Sequence, residues 1–221
     1  MSHLKTRDVS DNNKDKPKNL LIYDYKDFPD SYENLCTSLN AGLLQDTRLE
    51  SLCAYKSLAH FKDKNLLQRF NHRVKTDAIS DLYSLYLIAK SIDISRFNAI
   101  IFLNSSCIGP ILPAYFSAEK WSTIFSNKIA NGDQLVAPII EFPSKGVVEQ
   151  KLIDHYQLSN LHKLESIPFL HTYCFCIAPE SLQLLVDSGA LPRSEPKRED
   201  AVCLHERAVT AILLSLSLIH I

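Results

Sequence analysis

The chain has 221 residues, 46% of them hydrophobic, and a formal net charge of −1. That supports one sizeable core and is too short for two comfortable ones, so a single domain is expected. A balanced charge, with a sequence pI of about 6.7, argues against nucleic acid or an anionic membrane as the main partner, since both select a strong excess of Lys and Arg.

Residues 1–18 are polar, charged and short of anything to pack, which is the composition of a disordered tail; the folded domain is expected over 19–215. No basic-then-apolar leader stands at Met1, and no apolar run approaches the roughly 18 residues a spanning helix needs, so a cytoplasmic location is expected. LLIYDY reads as a first strand, and Asp30 or Ser31 as the N-cap of a helix carrying Tyr32, Leu35, Leu39 and Leu43. Leu49 to Tyr55 reads as a second strand. Lys56, Lys62, Lys64, Arg69, Arg73 and Lys75 then make a locally basic stretch, either a solvated face or an attraction for a diphosphate.

From Asp77 to Ser91, Ala78, Leu82, Leu85 and Ala89 form one helical stripe with Asp77 as its cap. Next comes Ile100-Ile101-Phe102-Leu103, a buried strand that stops in Asn104, Ser105 and Ser106 and a Gly109-Pro110 turn. Trp121 to Ile129 reads as helix, Leu135 to Ile140 as strand and Val147 to Leu158 as helix. His171 to Ile177 reads as strand, and Pro179 to Ser188 as a helix with Pro in its first turn and Gly189 at its stop. Strands alternating with helices imply an α/β fold with a mostly parallel sheet flanked by helices. In such sheets ligands bind beyond the carboxyl ends of the strands, where Asn104, Ser105 and Ser106 fall.

Six cysteines are spread through a chain that needs no disulfide framework. Cys174 and Cys176 with His171 could be taken for a metal site, but strand positions two apart share a face and free Cys is commonly buried, so reduced core thiols are expected and no metal ligands are assigned. The final six residues, Leu216 to Ile221, match one reading frame of a common sequencing adapter. They are therefore expected to be non-native, with the domain truncated at its C-terminus and further domains absent from the fragment.

Phe102-Leu103-Asn104-Ser105-Ser106, Gly109-Pro110 and Leu112-Pro113 resemble a segment of the glycosyltransferases related to rhamnan-synthesis and capsular-polysaccharide enzymes. The resemblance runs over roughly Asp77 to Thr210. It implies a GT-A-like (Rossmann-like) single domain with room for one antiparallel strand, and transfer of a sugar from a nucleotide-sugar donor to a surface or cell-wall polysaccharide, with that glycan acceptor as partner. Tyr23, Asp24 and Tyr25 at the first strand edge become candidates for the nucleoside, and Asn104, Ser105 and Ser106 for donor sugar or phosphate. Asp81 is what remains here of an Asp-Phe-Gly-Ala-Tyr-like motif, without its glycine. Lys197 to Glu206 resembles an acidic segment in which a Glu begins a helix near the acceptor, making Glu206 or Asp200 the candidate base; His171 falls where the family has a His. Many GT-A enzymes hold Mn or Mg with a D-x-D motif. This chain has none, which leaves metal dependence open and points to cationic side chains or helix N-termini as substitutes.

Two other readings stay open on the same residues. One is a Cys or Ser hydrolase built on Cys174 or Ser105 with His171, although no G-x-S-x-G elbow is present. The other is a non-catalytic α/β module that binds a glycan or a partner.

Overall fold

The computed structural model describes residues 18–116, 120–143 and 146–216. The expectations for residues 1–17 and 217–221 lie outside the described residues. Strand β1 (Lys18–Tyr25) begins one residue before the expected domain boundary. It is followed by α1 (Ser31–Asn40), β2 (Leu49–Tyr55), β3 (His72–Lys75), α2 (Asp81–Ser91) and β4 (Phe97–Asn104). The second half runs α3 (Thr123–Ala130), β5 (Leu135–Val136), β6 (Ile140–Glu141), α4 (Val147–Tyr156), β7 (Phe169–Leu170), β8 (Cys174–Ile177) and α5 (Pro179–Asp187). A short turn, α6 (Arg198–Asp200), continues through a π-helical segment (Ala201–Glu206) into α7 (Arg207–Ser215).

Six strands form one sheet in the order β3-β2-β1-β4-β8-β5, while β6 and β7 pair separately. β1, β2, β3 and β4 are parallel; β8 runs antiparallel between β4 and β5. Alternation of side chains across the pleat divides the core between two faces. Leu20, Ile22, Leu52, Ile100, Phe102 and Phe175 meet α2, α5 and α7 on one face, where the Phe102 and Phe175 rings stack 5.3 Å apart. Leu21, Tyr23, Tyr25, Cys53, Ile101, Leu103 and Cys176 meet α1 and Trp121 on the other. Burial on both faces is why β1 and β4 read as continuous apolar runs rather than as alternating strands.

Three expected elements are corrected. Helix α2 starts at Asp81, not Asp77, because the Glu195 carboxylate accepts hydrogen bonds from the amides of Ile79 (2.7 Å) and Ser80 (2.9 Å), drawing the segment before the helix into an extended path. The expected strand from Leu135 to Ile140 divides in two: Leu135–Val136 joins β8, and Ile140–Glu141 leaves to pair with β7. Pro138, which has no amide hydrogen to give a ladder, stands between them. The strand expected from His171 to Ile177 is likewise shortened to β8 (Cys174–Ile177), while His171, Thr172 and Tyr173 form the connection to it from β7, which precedes the expected range. No described helix is long and apolar enough to cross a membrane.

Candidate active site

From β1 the chain moves outward to β2 and β3, then returns to lay β4 on the other side of β1. Between β1 and β4 the strand order therefore reverses, and the crevice beyond their carboxyl ends is where doubly wound sheets take ligands. A cleft of about 670 Å³ opens there, lined among others by Lys26, Asp81, Asn104, Ser106, Glu195 and Glu206.

Asp81, in the first turn of α2, is the hub of this cleft. Its Oδ2 accepts hydrogen bonds from Asn104 Nδ2 (2.8 Å) and Thr172 Oγ1 (3.1 Å), and its Oδ1 lies 3.5 Å from Lys26 Nζ. The other end of the Asn104 amide is also engaged, since its Oδ1 accepts from the Ser106 amide (3.0 Å) and hydroxyl. With both ends held, Asn104 presents a fixed face at the end of β4. Lys26 reaches back across the strand end to Asp24, with Nζ 2.6 Å from Oδ2, while Ser84 Oγ donates to Asp24 Oδ1 (3.0 Å). Burial pushes the Asp24 carboxyl up to about 6 even though the Lys26 ammonium beside it acts in the opposite sense.

Glu206 closes the cleft from the last residue of the π-helical segment. Burial raises its pKa above the usual carboxylate range, and the nearby Asp81 charge raises it further; His171 and a hydrogen bond with Thr172 oppose them. A carboxylate held this way is a stronger base than an exposed one and sits across from a fixed polar wall.

Of the residues singled out in the sequence, Asn104, Ser106, Asp81 and Glu206 come together in this cleft, with Asp24 behind Lys26. Ser105 is fully buried beneath it: its hydroxyl accepts from the Lys26 amide (2.9 Å), lies 3.1 Å from the Lys26 carbonyl oxygen and bonds Ser31 Oγ (3.0 Å). Tyr23 and Tyr25 are buried, and the Tyr25 ring packs edge-on against Phe61. Asp200 borders a separate depression with His155, Arg193 and His205. His171 bonds Glu141 through Nε2 (2.6 Å) and stacks on Tyr173, close enough for its charge to act on Glu206. None of Lys56, Lys62, Lys64, Arg69, Arg73 and Lys75 lines the cleft, and Lys62 is paired with Glu33.

Lys26, Thr172 and Glu195 are the participants that sequence reasoning missed. Lys26 follows LLIYDY directly, and a lysine one step past a buried strand was a usable signal. Glu195 had none, because it acts over more than a hundred residues on the entry to α2.

Cysteine is not activated here. Burial pushes the Cys174 thiol up to about 12 and Cys107 to about 11, and the Ser105 hydroxyl is committed to Lys26 and Ser31 rather than to any histidine. The D-x-D metal implied by the GT-A resemblance does not fit the end of β4, where a hard cation would meet one amide and two hydroxyls, one of them buried. Among the described residues no group of three or more His, Cys, Asp or Glu could hold a metal ion.

No family model and no curated protein matches the sequence. Among solved structures the chain is similar to the mannosyltransferase PcManGT from Pyrobaculum calidifontis in complex with GDP-Man and Mn2+, at 9% identity and a TM-score of 0.45, over 82% of this chain and 50% of that one. It is similar also to S. aureus TarS 1–349, at 12% identity and a TM-score of 0.47, over 87% of this chain and 56% of that one. The chain thus spans about half the length of these structures. Nothing about its chemistry follows from likeness at this level.

Proposed function

We propose that this chain is the donor-binding portion of a GT-A-like glycosyltransferase that moves a sugar from a nucleotide-sugar donor to a glycan acceptor of a surface or cell-wall polysaccharide. The observation that carries the reading is the wall formed by Asp81, Asn104 and Ser106 at the β1/β4 switch point, with Glu206 facing it. Sugar hydroxyls need donors and acceptors fixed in direction, and this wall supplies both. Glu206, raised in basicity by its burial, takes the proton of the incoming acceptor hydroxyl as that oxygen bonds the anomeric carbon of the sugar and the bond from this carbon to the nucleoside diphosphate breaks, releasing the diphosphate. The sequence resemblance over Asp77 to Thr210 supports the same reading. His171 acts on Glu206 through its charge, and the donor is proposed to be supplied from the cytoplasm.

The test is a thermal-shift panel of UDP-, GDP- and dTDP-sugars. At least one is expected to stabilise the protein, and Asn104→Ala is expected to weaken that effect. Stabilisation by none of them removes the reading and favours a module that binds a glycan or a partner without turnover.

A further inference from the structure

Each of the two carboxylates at the switch point has one oxygen satisfied by neutral donors: Asp24 Oδ1 by Ser84, and Asp81 Oδ2 by Asn104 and Thr172. The remaining oxygens, Asp24 Oδ2 and Asp81 Oδ1, converge on one cation, the ammonium of Lys26, at 2.6 and 3.5 Å. Asp24 is 2% exposed and the Lys26 side chain 10% exposed, and Nζ has no hydrogen-bond partner beyond this pairing. The backbone of Lys26 is held by the buried Ser105 hydroxyl, which bonds both its amide and its carbonyl. Two carboxylate oxygens from neighbouring elements, oriented by their other contacts, with Asp81 in the wall of the cleft and Asp24 buried behind Lys26, make the protein half of a magnesium- or manganese-type site, which water and substrate would complete once the ammonium is gone.

We infer that Lys26 is the resident cation of this site: its ammonium stands where a divalent ion would otherwise bridge Asp24 and Asp81, so the donor binds without metal. The second clause rests on the donor-binding reading above; the first does not. It also gives Ser105 a purpose that burial had hidden. Two carboxylates this close, one of them out of water, need a positive partner, since an uncompensated buried charge is strongly destabilising. A covalently attached ammonium supplies that partner at every metal concentration.

The experiment compares wild type with Lys26→Ala, using Mn2+ alone as probe, followed by electron paramagnetic resonance and thermal unfolding. Wild type is expected to bind no Mn2+ at the cleft and to be indifferent to EDTA. Lys26→Ala is expected to unfold earlier in EDTA and to recover with Mn2+, by about 3–6 °C when the metal is tenfold above its dissociation constant. Asp24→Asn/Lys26→Ala, which lacks one of the two carboxylates, is expected to lose that recovery. Mn2+ binding by wild type at this site, or a Lys26→Ala protein that ignores Mn2+, overturns the assignment.

Should Lys26→Ala not fold, the wild-type arm decides: stabilisation by a nucleoside diphosphate from the UDP, GDP and dTDP set that survives EDTA supports the inference, and stabilisation abolished by EDTA sinks it. A panel in which no nucleotide stabilises defeats the donor reading instead and leaves the Mn2+ comparison to judge Lys26.

Discussion

Replacing Glu206 with Gln separates its chemistry from its place in the fold. Removing a positioned general base costs about 10²- to 10⁴-fold in rate, or about 3–5 kcal/mol of transition-state stabilisation. The cleft narrows that range. Its other carboxylates are committed, Asp81 to Asn104, Thr172 and Lys26, and Glu195 to two backbone amides, so no second base stands ready. A loss near 10³-fold is therefore expected for Glu206→Gln, read as release of nucleoside diphosphate from a nucleotide sugar.

Folding should not suffer. Because the folded pKa of Glu206 is raised, its contribution to stability is full below the unfolded value and is lost as pH rises through the folded one. The neutral amide should thus be no less stable than wild type above neutrality. Activity should rise with pH as Glu206 ionises, and Asp81→Asn, which removes a charge that raises the Glu206 pKa, should move that rise to lower pH. A Glu206→Gln enzyme within about threefold of wild type, or a pH profile unmoved by Asp81→Asn, refutes the reasoning.

Glu195→Ala should free two amides at the entry to α2 and lower stability by about 1–2 kcal/mol, or about 2–8 °C in Tm, with Glu195→Gln losing less. Asp24, raised to about 6, should make wild type more stable on acidification from neutrality, by on the order of 3 kcal/mol once the pH is below its unfolded value near 3.8. Chemical denaturation of Asp24→Asn beside wild type should show that slope only in the latter. Cys107 and Cys174, at about 11 and 12, should react with a thiolate-directed reagent at least about 100-fold more slowly in the folded protein than in urea, and fast labelling of Cys174 would revive a thiol nucleophile.

What could be seen in the residues, and what could not, follows the range of the interactions. The apolar run Ile100 to Leu103 and its polar stop are local, and β4 with Asn104 at its end lies where that pattern puts it. Pro179 and Gly189 likewise bracket α5, with Gly189 in the left-handed region. The start of α2 was misplaced because Asp77 looks like a cap to any local reading, whereas Glu195, distant in sequence, sets the boundary. Asp81 stands without the glycine of the motif it resembles, yet it gathers Asn104, Thr172 and Lys26, contacts made only once β1, β4 and the loop before β8 stand side by side. Ser105 was legible as a residue at a strand end; that its hydroxyl points down to Lys26 and Ser31, rather than out to a ligand, is a property of the sheet edge. The division of the Leu135–Ile140 run could have been read from Pro138, which no ladder tolerates in its middle.

Hydrogen exchange with and without the nucleotide sugar that stabilises the protein most places the ligand on the chain. Slowed exchange at residues 24–26, 79–84, 104–106 and 195–206 is the expected outcome, for these segments surround the cleft. Protection confined elsewhere, as along the apolar groove of Ile101, Cys107, Pro110 and Trp121, or no protection at all, would contradict it.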